Sequence, residues 1–464
     1  MRRENGKVSD IKIAYVGGGS RGWAWALMSD LVQADDISGT VRLYDIDKQA
    51  ALDNQTIGGM YNELDGVKSR WEYEVYDTLD EALNGVDFVI VSITPGTLDE
   101  MQSDVHAPEK FGIYQSVGDT IGAGGTIRSL RMAPMFEVIG KAVKKNCPNA
   151  WVINYTNPMT LCVKTLYRVF PEIKAFGCCH EVFGTMKFFV KMLKQYYGVT
   201  EDVKREDIKV NVIGINHFTW LTSAKYKDID LYEVYKNFCK DCPNGLQAVD
   251  VNWMTQSGES SELVKMDLFK RYGYIAAAGD RHLAEFVPGE WYLKDPDQVK
   301  KWGYALTAVS WRKQAIEEHR KEESRKYLQR EQPLQIKPSG EDGVNQIRAL
   351  LGLHEMITNV NIPNVGQIPN LPLGAVVETN AIFRTDEVRP VFAGNVPASI
   401  YAMVAHIVGE QEALDEAMAE RDLEKAFSVF ALDQQLHLTL EEARVLFDEM
   451  VENTKEYLTE YLDK

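Results

Sequence analysis

"KIAYVGGGSRGW", Lys12–Trp23, joins a short β-rich run to the start of a helix through a cluster of glycines. Gly17, Gly19 and Gly22 stand at the spacing G-x-G-x-x-G. Glycine permits the tight turn and lets backbone N–H groups approach a pyrophosphate at the helix N-terminus. The spacing alone is a weak signal. It gains weight from the next strand, "TVRLYDID" (40–47), which ends on Asp45. A carboxylate there can bind the adenosine ribose diol, and its charge repels a 2′-phosphate, which favours NAD over NADP. Gly17, Gly19, Ser20, Gly22 and Asp45 are therefore the candidate cofactor residues; a ligand-free glycine turn is the other reading.

Outward from this stretch the chain alternates strand and helix. Helical spacing runs from Ser20 to about Gln33, and further apolar runs follow: "DFVIVSIT" (87–94), "WVINYTN" (151–157) and "AFGCCH" (175–180). Helices are expected around 128–145 and 159–169. That alternation predicts an α/β fold with a parallel, doubly wound sheet covered on both faces. From about residue 200 the pattern changes. "VNVIGINHFTWL" (210–221) reads as one long strand, polar helices dominate after it, and the charged segment 316–331 reads as a solvated helix face. Thr439 and Glu442 form a capping box for the last helix. We expect two domains, 1–200 for the cofactor and 201–464, an α+β domain for substrate and oligomer contacts, with a cleft between them.

Composition narrows the partners. The 464-residue chain carries 51 basic and 68 acidic residues, a net charge of −17, which argues against nucleic acid and anionic membranes. No apolar run is long enough for a membrane span and the N-terminus has no apolar signal core, so a cytoplasmic protein is expected. Six cysteines do not suggest a disulfide framework there, and the lone CxxC of Cys239 and Cys242 reads as coincidence on the surface.

Chemistry-bearing residues gather at predicted strand ends. Thr94 and Pro95 in "VSITPG" fall where loops border the ligand crevice of a doubly wound sheet. Asn157 in "NYTNP" can reach substrate or nicotinamide, or simply form a turn before proline. In "GDTIGAGGTIRSLR" (118–131), Arg128 and Arg131 share a helix face and can bind an anion, pyrophosphate or a substrate carboxylate. "FGCCHEVFG" (176–184) places Cys179 and His180 at a strand end, and "GINHFTW" supplies His217. A thiolate with an imidazole suits a borderline divalent metal, although a buried cysteine is more often core. "AAAGDRHLAEFVPGEW" (276–291) groups Asp280, Arg281, His282 and Glu285, with Asp280 as a possible helix cap.

These motifs in this order, with "NVGQIPNLPLGAVVE" (364–378), resemble glycoside hydrolase family 4, the NAD- and metal-dependent glycosidases. "CCHEVFG" is closer to its α-galacturonidase branch than to phospho-glycosidases or neutral α-galactosidases and α-glucosidases. The resemblance implies a Rossmann domain followed by an α+β domain on the lactate and malate dehydrogenase plan. It implies a divalent metal, usually manganese, on Cys179 and His217, with Cys178 packing. It implies substrate contacts from Asn157, Arg128, Arg281 and His282, an acid at His180 and a base at Asp280. The chemistry implied is hydride transfer from C3 to NAD, loss of the C2 proton, departure of the aglycone, addition of water and return of the hydride. A homodimer or homotetramer goes with it. The rival expectations are a neutral α-galactosidase or α-glucosidase of the same family, or a 2-hydroxy acid dehydrogenase of the lactate and malate type.

Overall fold

In the computed structural model, which describes residues 1–246 and 260–463, six parallel strands form the centre of the larger sheet. They are β1 (Lys7–Val16), β2 (Ile37–Tyr44), β3 (Trp71–Val75), β4 (Phe88–Val91), β5 (Trp151–Asn154) and β6 (Lys174–Gly177). Their order, β6-β5-β4-β1-β2-β3, reverses between β1 and β4. Strand ends at such a reversal open a crevice. The middle strands are apolar throughout, Phe88–Val91 being buried at every position, because helices cover both faces. One face holds the helices Gly122–Asn146 and Met159–Val169 under the C-terminal helices. The other holds Trp23–Gln33, Lys48–Tyr61 and Gly343–Leu350.

The turn after β1 needs its glycines. A Cβ on Gly17 would sit 2.0 Å from the Ser92 carbonyl oxygen, and Gly22 has φ +120. The helix Trp23–Gln33 starts directly after it and so aims its free N–H groups at the crevice.

The second half departs from expectation in three places. The run 210–221 is a hairpin, β7 (Ile208–Ile215) and β8 (Phe218–Tyr226), folded back at Asn216-His217. His217 takes φ 62, a left-handed conformation that Asn and His enter more readily than most residues. Further on, β9 (Met356–Pro363), β10 (Val376–Arg384) and β11 (Glu387–Pro390) do not stay with that hairpin. They extend the first sheet antiparallel, β9 lying beside β6 at Asn361 and Gly177. The two halves therefore share a sheet. Finally, the charged helical segment 316–331 is not merely solvated: Ile316, Arg320 and Tyr327 turn toward the crevice. The capping box at Thr439 and Glu442 is present.

Candidate active site

One cavity of about 1820 Å³ runs from the glycine turn to the β7–β8 hairpin. At its β1–β2 end it is lined by Gly17, Gly19, Ser20, Gly22 and Asp45, with Thr94 across from them. Asp45 Oδ2 accepts the Gly19 N–H at 2.8 Å and Oδ1 accepts the Asp47 N–H at 2.9 Å. Those two bonds fix the carboxylate at the strand end, with burial pushing its pKa up despite them. The donor geometry fits the adenosine half of a dinucleotide. Pro95 does not line the cavity; its carbonyl accepts Arg131 Nε at 3.3 Å. Arg131 is likewise withdrawn, because Asp104 holds it in a fully buried ion pair. Of the two arginines on that helix only Arg128 faces the cavity.

The opposite end gathers metal-type donors. Asp119, His217 and His282, all buried, bring one ligand atom each within 4.8 Å of the others. Cys179 lines the same cavity and is also buried. The Thr120 hydroxyl lies 2.8 Å from His217 Nδ1 and leaves Nε2 for an ion. Burial, reinforced by His282, pushes His217 down to about 3, so its imidazole is neutral as a ligand must be. Burial would raise Asp119, but His217, Arg312, Arg128 and His282 together hold its carboxyl well below the carboxylate range. The Cys179 thiol is pushed well up by burial, with Glu378 and Glu181 adding to it, so a thiolate there requires a cation beside it. A carboxylate, neutral imidazole and a cysteine suit a borderline divalent ion.

Around this centre polar atoms are left open. Asn157 donates through Nδ2 to Asp119 at 3.4 Å while its Oδ1 is buried without a partner. Arg128 Nε donates to the Asn157 carbonyl at 3.1 Å, and one terminal nitrogen of Arg128 has no partner among the described residues. His282 Nε2 faces Glu181 at 3.5 Å, and its buried Nδ1 has no partner among the described residues. Arg281 donates to Thr307 at 3.2 Å. His180 is half exposed at the cavity mouth, stacked on Trp23, with Nδ1 3.3 Å from Glu341. That bond, against a smaller opposing effect of burial, raises its pKa and favours the protonated ring.

Asp280 is the expectation that fails. It is fully buried and absent from the cavity wall. Its carboxylate accepts the Ser260 hydroxyl at 2.7 Å and the Val264 and Lys265 N–H groups at 3.2 and 3.0 Å. It caps the helix Leu263–Tyr272 rather than its own, and its lone pairs are used. Cys178 donates to Gln346 at 3.1 Å and packs on the core. Cys239 is a core residue, not a surface one, and both CxxC cysteines are free thiols. Asp119, Glu181, Trp23 and Arg312 were not singled out from the sequence, although the first three lie inside quoted stretches.

The model for Family 4 glycosyl hydrolase matches residues 12–195, and that for its C-terminal domain matches residues 212–436. The chain belongs to glycoside hydrolase family 4. It is thus a glycosidase, and the dehydrogenase alternative falls. The Alpha-galacturonidase of Thermoanaerobacterium saccharolyticum is 57% identical over 460 residues, covering 99% of this chain and 98% of its own. That of Bacillus subtilis is 48% identical over 446 residues, 96% of this chain and 98% of its own. Among solved structures, the Bacillus subtilis protein lplD superposes with a TM-score of 0.90 at 48% identity, covering 96% of this chain and all of the other (100%). The family fold is also that of a 6-phospho-alpha-glucosidase from gut microorganisms, solved with NAD and Mn2+, at a TM-score of 0.79 and 20% identity over 97% of this chain and 99% of that one. Among the described residues no helix is long and apolar enough to cross a membrane.

Proposed function

We propose that this family 4 enzyme hydrolyses α-galacturonides, such as pectin-derived oligosaccharides, with NAD and manganese or another divalent ion. The observation that carries the reading is the charge around the metal-type centre. At the metal-type end of the cavity stand three guanidiniums, those of Arg128, Arg281 and Arg312, with two carboxylates held ionised, Asp119 and Glu181. The surplus is positive, inside a chain whose net charge is −17. An anionic sugar balances it; a neutral galactoside does not. Four relatives named Alpha-galacturonidase, at 57, 51, 49 and 48% identity, support the same substrate.

Gly17, Gly19, Ser20, Gly22, Asp45 and Thr94 would hold NAD, and Cys179, His217 and Asp119 the divalent ion. When bound, these groups supply a hydride acceptor at C3 and a Lewis acid that makes the C2 proton labile. The chain's own residues do the rest. Asn157 and Arg128 orient the ring through their open donor and acceptor atoms. His282 accepts the C2 proton at Nδ1, and Glu181 at its Nε2 stabilises the imidazolium that forms. His180, protonated through Glu341, sits at the mouth and gives its proton to the departing glycosidic oxygen. Water then adds at C1 with its proton passing to His180, and His282 gives a proton back to C2; return of the hydride to C3 is chemistry that the bound cofactor would supply. His282 replaces Asp280 as base because it faces the cavity with a free nitrogen.

Cytoplasmic placement and a homodimer or homotetramer complete the proposal. Exposed Val365, Leu373 and Phe392 lie on adjoining loops and offer apolar surface for a second copy. A panel of p-nitrophenyl α- and β-glycosides, uronides and neutral sugars alike, with NAD, Mn2+ and a reductant, tests the substrate. Fastest turnover of the α-galacturonide is expected. Faster turnover of a neutral α-galactoside would displace the reading.

A further inference from the structure

Of the three guanidiniums at the sugar end of the cavity, Arg312 is the one that no described residue holds. Arg128 is tied to Asn157, and Arg281 to Thr307. The Arg312 side chain makes no hydrogen bond or ion pair with any described residue, and its Nε is buried without a partner. An unpaired buried donor on a charged group is costly, so the fold retains it only where something else satisfies it. Its surroundings say where that partner binds. Asp119, Arg128, Arg281 and Glu285 are the charged groups that act on it. The first three line the sugar end of the cavity, and Glu285 accepts the Val117 and Gly118 N–H groups behind it. The glycine turn is overhung by a different residue, Arg320, whose Nε lies 3.9 Å from where a Gly22 Cβ would stand. A phosphate of NAD is therefore the wrong partner for Arg312.

We infer that Arg312 reads the C6 carboxylate of the sugar and is the residue that sets uronide over neutral-sugar specificity. The inference rests on the α-galacturonide reading given above. A planar guanidinium pairs with a carboxylate through two parallel N–H···O bonds, which a hydroxymethyl group cannot return. Anchored on the helix Val309–Arg312, whose first N–H donates to His106 at 3.2 Å, Arg312 reaches the site from the second half of the chain. Arg128 and Asn157 belong to the first half.

The test uses the full-length enzyme with NAD and Mn2+ and measures binding of free D-galacturonate and D-galactose by calorimetry or competition. Wild type should prefer galacturonate by about tenfold or more, the scale of one charge-assisted contact. Arg312→Gln should lose at least about tenfold on galacturonate and less than about threefold on galactose. Arg312→Lys should recover part of the loss, since it keeps the charge without the fork. Equal losses on both sugars, or none, would overturn the assignment. So would a loss confined to NAD affinity. Absence of any wild-type preference for galacturonate would instead remove the uronide reading beneath it.

Discussion

The imidazoles of His217 and His282 lie over one another, with ring centroids 3.9 Å apart and planes 31° apart. Asp119 joins them at ligand distance. Two buried rings so close cannot both carry charge. His217→Ala and Asp119→Asn should each lower Mn2+ affinity by about 10- to 100-fold in an EPR titration, in line with losses at other metal sites. NAD affinity, followed by fluorescence, should stay within about threefold, because the adenosine end is remote. His282→Gln separates base from ligand. It should retain Mn2+ yet lose proton abstraction; if Mn2+ binding goes instead, His282 is a ligand.

On the proposed reading Asp45 sets the cofactor. Asp45→Ala removes the ribose acceptor and frees the Gly19 N–H that it now holds. NAD binding should weaken by about tenfold, and the preference over NADP should narrow. Asp45→Asn keeps an acceptor oxygen and drops the charge, so it should narrow the preference with a smaller loss of NAD. Unchanged Kd values for both cofactors would mean that Asp45 does not face the ribose.

Asp280 should behave as a structural residue. In Asp280→Asn one oxygen becomes an NH2 group facing donors, and the helix Leu263–Tyr272 loses part of its cap. Thermal unfolding should register a loss of about 1–3 kcal/mol. Exchange at C2 of the sugar should survive at a rate that tracks the folded fraction. Full stability with exchange abolished would return the base role to Asp280.

The sequence made the first half legible because its signals are local. The glycine turn, Asp45 and the strand-ending "NYTNP" and "CCHE" each follow an apolar run that can only be a buried strand. The errors arose where partners are distant in the chain. Asp280 sits among polar residues at 276–291, but which helix it caps depends on Val264 and Lys265 folding over it. The run 210–221 is largely apolar on either side of Asn216-His217, and so short a polar pair, with no glycine or proline at the turn itself, reads as part of one strand. β9 to β11 add to a sheet begun far earlier, which no local pattern records. Arg312 stands just before a charged segment, and only packing distinguishes an arginine with a buried Nε from its solvated neighbours.

Stability should carry a pH signature from Glu378. This buried carboxyl, on β10, accepts from Asn359 at 2.6 Å and from Asn216 at 3.3 Å. Burial, outweighing those bonds, pushes it up to about 7 from an ordinary glutamate value of 4.5. The folded state therefore holds a proton that the unfolded state releases between those values, and stability falls as pH rises through that window. The loss reaches about 3 kcal/mol by pH 8. Glu378→Gln removes the titration, with the asparagine amides free to turn their oxygens toward the new NH2 group. The gap in Tm between variant and wild type should widen from pH 5 to pH 8 in the variant's favour. A gap independent of pH would mean that Glu378 does not titrate there.

The central claim is that this glycosidase breaks a C2–H bond rather than displacing the aglycone directly. Hydrolysis of p-nitrophenyl α-D-galacturonide in D2O, with NAD and Mn2+ present, followed by NMR of the released sugar, tests it most directly. Deuterium should appear at C2, because the proton taken by the base exchanges with solvent, and not at C3, whose hydrogen leaves and returns as hydride. His282→Gln should suppress the C2 label and leave a slow NADH signal from the first step. A product from the wild-type enzyme that carries no deuterium at C2 would contradict the account.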